Sequence, residues 1–191
     1  MNVNTQVLIP DAKEAREVEI DSLLLRDRIV FLGEAVRSES AIALIKQLLY
    51  LERVDPKAPI TLYLNSPGGS VVDGMAIYDT IRRLSCPVHA VVAGMAASMG
   101  AVILSGCTKG ERAILRHGEV LLHQPLGGQE GQATDIEIST RRLLRMKQML
   151  LGLLAENSGH PYAKLAEDCD RDYWMNAEES LAYGIVDKIL D

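Results

Sequence analysis

Apolar residues recur along the chain with two alternating periods, and the switches between them mark out the elements. Between residues 38 and 53, Ala41, Leu44, Ile45, Leu48 and Leu49 fall on one face at helical spacing, behind Ser38 as an N-cap and ahead of Pro56 as a stop. Ile60, Leu62 and Leu64 then alternate with Thr61 and Tyr63, the period of a strand, until Asn65-Ser66-Pro67-Gly68-Gly69 breaks it with two glycines able to take positive φ. Residues 71–84 return to the helical period, Cys86-Pro87 closes them, and 88–92 is a short apolar run suited to a strand buried on both faces. A second strand-helix-strand unit follows. Residues 94–100 lead into an apolar helix over 101–104, and 119–122 return as a strand that ends at His123. From Thr134 a long amphipathic helix extends to about residue 157, with Glu137 completing a capping box and Gly159 just beyond the end. Asn176 and Glu179 cap a last helix that Gly184 ends, leaving Ile185, Val186, Ile189 and Leu190 for a closing strand. Strands alternating with crossover helices predict an α/β fold.

Composition narrows the class. With 191 residues, 48% hydrophobic and 24% charged, the chain can bury a sizeable core as one domain over 1–191 and lacks the low-hydropathy signature of disorder. A net charge of −6 gives no electrostatic reason to approach nucleic acid or an anionic membrane surface. Three cysteines, with no C-x-x-C pair among them, read as free thiols in a reducing compartment rather than a disulfide framework. The start, Met1-Asn2-Val3-Asn4-Thr5-Gln6, resembles neither a secretory signal nor a transit sequence, and no apolar run reaches the ~20 residues of a membrane span. A soluble, cytoplasmic protein is expected.

Acyl-transfer chemistry needs a hydroxyl on a sharp strand-to-helix turn, where small neighbours admit a carbonyl and a helix N-terminus favours developing negative charge. Gly94-Met95-Ala96-Ala97-Ser98-Met99-Gly100-Ala101 supplies that environment, although a serine among alanines and glycines equally suits close helix packing. His123 stands at the carboxyl edge of a strand, where α/β sheets gather functional groups, and an imidazole there suits a general base; His89, His117 and His160 lack such a setting. The carboxylate that would orient the imidazole has three candidates in Asp168-Cys169-Asp170-Arg171-Asp172, and spacing does not choose among them. Gly68-Gly69 after a strand could direct a backbone N–H at an oxyanion beside the N–H of Met99, or could be a plain turn.

Four motifs together, Asn65-Ser66-Pro67-Gly68-Gly69-Ser70, residues 94–100, His123-Gln124-Pro125-Leu126-Gly127-Gly128 and Asp170-Arg171-Asp172, resemble the Clp protease proteolytic subunit in order and spacing, from about Leu8 to the C-terminus. The resemblance implies a crotonase-like fold of repeated ββα units with a protruding handle helix, and a serine endopeptidase. It implies Ser98 as nucleophile, His123 as base and Asp172 as orienting acid, with the Gly69 and Met99 amides as oxyanion hole. Gly68, Leu126 and Gly127 would lie along the substrate strand, Asp170 and Arg171 would contact a second ring, and Asp168 would be a surface acid. The handle, residues 124–157, would interdigitate two stacked seven-membered rings that enclose the active sites, with residues 1–21 as the axial segment. No metal or cofactor is implied in this subunit; ATP is used by a partner AAA+ ATPase that unfolds and threads protein substrates. Residues 11–21 are shorter than in typical relatives and lack their Gly-Glu-Arg and tyrosine pattern, and Cys169 and Tyr173-Trp174 are unusual beside Asp172. Two rival expectations remain: a partner ring in a mixed assembly with a second Clp paralogue, and an acyl-CoA hydratase or isomerase of the same fold, which would work through acidic residues.

Overall fold

The computed structural model describes residues 6–10 and 15–191. Part of the expected axial segment, residues 1–5 and 11–14, therefore lies outside the described residues. Strands β1 (Gln6–Pro10) and β2 (Ala15–Glu19) pair antiparallel as a ribbon of their own. Helix α1 (Ile20–Arg26) follows, and then the chain enters its main sheet through β3 (Ile29–Leu32).

The α/β expectation holds. Helix α2 (Ser38–Val54) connects β3 to β4 (Ile60–Ser66), α3 (Val71–Arg83) connects β4 to β5 (Val88–Ala97), and all these strands run parallel. Helix α4 (Met99–Gly106) leads from β5 to β6 (Arg112–Leu115), and β7 (Glu119–Leu122) follows within a few residues. The long helix α5 (Ala133–Ser158), α6 (Tyr162–Asp168), β8 (Tyr173–Met175), α7 (Ala177–Tyr183) and β9 (Lys188–Leu190) complete the chain. The sheet order is β3-β4-β5-β6-β9, with β7 on β5 and β8 on β7.

Strand β5 is ten residues long where hydrophobicity alone predicts five, because it forks. Ala90, Val91 and Val92 pair with β6, whereas Met95, Ala96 and Ala97 pair with β7. At the changeover the β4–β5 register shifts between Leu64 and Ser66, and Asn65 Oδ1 accepts from the Met95 N–H at 3.3 Å. One hydrophobic cluster fills the space between sheet and helices, with Leu48, Leu62, Ile77, Ile103 and Leu104 fully buried in it.

Local capping departs from expectation twice. Helix α2 is capped at Arg37, one residue before Ser38, because Ser40 Oγ accepts from the Arg37 N–H at 3.0 Å. Helix α5 begins at Ala133, so Thr134 is already inside it and caps nothing; its other end closes at Gly159 in the left-handed region as expected. The Asn176–Glu179 capping box forms, with both hydrogen bonds at 2.9 Å.

Arg112 ties the closing segment to the rest, although it lies in a strand that periodicity did not mark. Its side chain is 2% exposed and donates to Asp187 from Nε at 2.8 Å and from Nη2 at 2.6 Å, to the Asn157 carbonyl at 3.1 Å and to the Gly184 carbonyl at 3.0 Å. Burial alone would raise the Asp187 carboxyl, but the Arg112 bonds and charge outweigh it and hold the group below the usual carboxylate range. Arg112→Met leaves that carboxylate and two carbonyls short of donors. We expect it to lower stability by about 3–5 kcal/mol, read as a shift in the urea unfolding midpoint at constant slope.

Candidate active site

Strand β5 ends by turning straight into α4, and the residue at the junction is Ser98. Its backbone sits at φ 56° and ψ −119°, a region that residues with a Cβ avoid, and it precedes a helix whose eight residues are all buried. The Ser98 N–H donates to the Leu121 carbonyl of β7 at 3.0 Å, while its side chain makes no capping hydrogen bond, leaving Oγ unengaged at the helix N-terminus.

The turn after β4 closes against this junction. A Cβ on Gly68, whose φ is 83°, would stand 2.6 Å from the Ala97 carbonyl oxygen, 2.6 Å from Ser98 Cβ and 2.9 Å from the Met99 nitrogen. Only glycine fits that approach. Ser66 braces the turn: it is fully buried, its Oγ donates to the Glu34 carbonyl at 2.6 Å and accepts from the Gly68 N–H at 3.2 Å. Neighbouring Gly69, at φ 147°, bridges to Val36 through the flanking groups, with Val36 N–H on the Gly68 carbonyl at 2.8 Å and Ser70 N–H on the Val36 carbonyl at 2.9 Å. That pattern leaves the Gly69 N–H itself outside the bridge. The Met99 N–H, first in α4, is one of the donors that a helix leaves unpaired at its start.

Strand β7 delivers His123, half-buried, into the same cleft as Ser98. The cleft's apolar lining includes Val71, Met99, Val102, Leu150, Leu151 and Leu154, so α5 walls one side of it. Asp172 arrives on the neighbouring strand. Leu122 pairs with Tyr173 across β7 and β8, so His123 and Asp172 occupy the next antiparallel position. The Gln124 N–H donates to the Cys169 carbonyl at 2.9 Å, and Gln124 Nε2 donates to the Asp170 carbonyl at 3.0 Å, which sew the two segments together. Lys147 of α5 donates to Gln124 Oε1 at 2.8 Å. Among the described residues no hydrogen bond links the side chains of Ser98, His123 and Asp172; such contacts commonly tighten when substrate is bound.

The remaining expected residues lie at the rim. Leu126 is 83% exposed, Gly127 abuts Leu143 of α5, and the side chains of Asp170 and Arg171 project into solvent, 64% and 94% exposed. Asp168 departs from the surface acid expected. Its side chain is 11% exposed, accepts from the Tyr183 hydroxyl at 2.7 Å and pairs with Lys164 at 3.0 Å. Burial would raise its carboxyl, but the Tyr183 and Lys164 bonds hold it below the usual range. Ser66 stands inside the Asn65–Ser70 motif without a role legible from it, and neither Lys147 nor Tyr183 is assigned to the site from sequence, because an isolated lysine or tyrosine carries no motif signal. Among the described residues no three His, Cys, Asp or Glu side chains converge as a metal site, and no helix is long and apolar enough to cross a membrane.

A strained serine between a strand and a helix, sharing a cleft with a histidine, is the arrangement of a serine hydrolase on an α/β scaffold. The chain belongs to the Clp protease family, whose model matches residues 12–191, and it is accordingly a serine-type peptidase. It is 48% identical over 175 residues to the "ATP-dependent Clp protease proteolytic subunit" of Porphyromonas gingivalis (strain ATCC BAA-308 / W83), covering 92% of this chain and 79% of that one. It is 47% identical over 185 residues to "ATP-dependent Clp protease proteolytic subunit 1" of Prochlorococcus marinus (strain MIT 9312), covering 97% and 95%. Against "ATP-dependent Clp protease proteolytic subunit 2" of Parasynechococcus marenigrum (strain WH8102) it is 45% identical over 185 residues, covering 97% and 94%. Family membership sets aside the hydratase or isomerase reading.

The fit at Gly68 gives a direct test. Gly68→Ala places a methyl against backbone on three sides, and we expect it to displace the Ser98 turn, costing roughly 1–3 kcal/mol in stability. Labelling by a serine-reactive fluorophosphonate, followed by intact mass, should slow much more than the change in melting temperature alone implies.

Proposed function

We propose that Ser98, His123 and Asp172 form the catalytic triad of this peptidase, and that it cuts unfolded protein chains inside a self-assembled chamber. The observation that carries the reading is Ser98 held at φ 56° with its hydroxyl unengaged, in one cleft with His123. His123 accepts the Ser98 Oγ proton as Oγ bonds to the scissile carbonyl carbon. Negative charge collects on the carbonyl oxygen, where the Gly69 and Met99 N–H groups and the start of α4 stabilise it. The imidazolium then returns its proton to the leaving amine, and the C–N bond breaks to leave an ester on Ser98. A water molecule, deprotonated by His123, hydrolyses that ester and restores the serine. Asp172 holds the tautomer of His123 and offsets the imidazolium charge.

The apolar wall of the cleft, from Val71 to Leu154, suits an apolar side chain next to the cleaved bond. Main-chain groups near Gly68, Leu126 and Gly127 would pair with an extended substrate, which explains tolerance of sequence, since backbone pairing ignores most side chains. The exposed apolar residues of α5 support assembly: Ile136, Ile138, Leu144 and Met149 lie on more than one face of the helix, as suits a helix that interdigitates between neighbouring copies. In the assembly this implies, two stacked seven-membered rings meet through the handle of residues 124–157 and through Asp170 and Arg171. The axial segment of residues 1–21 faces a partner AAA+ ATPase, which spends ATP to unfold and thread substrates, so this subunit needs no cofactor. Cytoplasmic location fits that role. Rings mixed with a second Clp paralogue are a variant of the same assembly.

Intact-mass analysis after fluorophosphonate treatment tests the assignment. One adduct per chain is expected in the parent and none in Ser98→Ala, and hydrolysis of a fluorogenic peptide amide should vanish with it. Asp172→Asn should keep the fold and lose roughly 10⁴ in turnover by the tautomer argument. An adduct that persists in Ser98→Ala would move the nucleophile elsewhere.

A further inference from the structure

The side chain of Asp172 is exposed, and its place beside His123 is set by the backbone that carries it. That backbone is a short turn from Asp168, the last residue of α6, to Tyr173, the first of β8. Both flanks of the turn meet one side chain. The Tyr183 hydroxyl, at the end of α7, donates to Asp168 Oδ2 at 2.7 Å, and the Tyr183 ring packs on the Tyr173 ring with centroids 5.7 Å apart. Tyr183 is itself anchored: it is 8% exposed, the His160 ring lies 4.4 Å from its own, and His160 Nε2 is 3.0 Å from its carbonyl oxygen. Lys164 also bonds the Asp168 carboxylate, with Nζ 3.0 Å from Oδ2 and 3.1 Å from Oδ1.

We propose that Tyr183 is a positioning residue for Asp172, fixing both flanks of its turn through the hydroxyl on Asp168 and the ring on Tyr173. The inference rests on Asp172 being the orienting acid. A tyrosine needed only for bulk would put its hydroxyl to no use, whereas this one engages Asp168, which is partly buried where Asp170 and Asp172 are exposed. The turn starts at that carboxylate and ends at the ring contact, so a slip at either flank is passed to Asp172. From there it reaches the distance to His123, on which tautomer control depends.

The test is a cycle of variants assayed for kcat and KM on a fluorogenic peptide amide. Tyr183→Phe keeps the ring and removes the hydroxyl, while Asp168→Asn keeps an acceptor for that hydroxyl and removes the charge. We expect Tyr183→Phe to lower kcat on the order of tenfold with KM within about twofold, as a sub-ångström misplacement of a catalytic group does. Asp168→Asn should retain most of the rate. Combined with Asp172→Asn, Tyr183→Phe should cost nothing further, because a hydroxyl acting only through Asp172 has nothing left to position. Parental kcat in Tyr183→Phe, or losses that multiply in the double variant, would overturn the proposal, as would altered size-exclusion elution of Tyr183→Phe, which would mark an assembly contact instead. Parental kcat in Asp172→Asn would remove the orienting-acid assignment itself, and this inference with it.

Discussion

Everything near the site is arranged around a single strained residue. Holding Ser98 at φ 56° costs of the order of 1–3 kcal/mol, and such a backbone persists only where its surroundings over-determine it. Here the restraints come from three directions. The Ser98 N–H is taken by Leu121, Gly68 presses against Cβ, and α4 is buried along all eight residues, with Gly100 seated close to the Ser66 backbone. The strain has a geometric return: the hydroxyl stands clear of its own helix, facing the cleft.

The forked strand explains why partners from far along the chain meet there. Had β5 paired with β6 along its whole length, no edge would remain for β7, and His123 would have no strand to carry it to the serine. Because β6 takes only Ala90 to Val92, the outer part of β5 is left for β7, which β8 then extends antiparallel. Two successive pairings thus place residues 98, 123 and 172 at one edge. Functional groups gather at strand carboxyl ends in such sheets, and the fork makes a second, shorter set of ends available.

Much of this was legible in the order of residues. The helices over α2, α3 and α5, the strand β4 and the box at Asn176 follow from periodicity and capping, and the four motifs carried the family. The fork was not legible, since Gly94 inside an apolar run reads as a strand end, and only the tertiary pairing with β7 carries the strand past it. Strand β6 was missed because its first residue is arginine, whose burial makes sense only once Asp187 is brought from 75 positions away. Asp168 was misjudged for the same reason: an acid in a charged run reads as solvated until Tyr183 arrives from the next helix.

The restraints on Ser98 come from segments around residues 36, 66 and 121, so the elbow is finished only when widely separated stretches have met. Contacts of that kind form late, since loop closure must come before they contribute. With Ser98 as the proposed nucleophile, an emerging or half-folded copy has a serine of ordinary reactivity, free of the backbone that aims it. The destructive chemistry would then switch on only with the last step of folding, and an unfinished copy is kept from cutting its neighbours by topology rather than by an inhibitor.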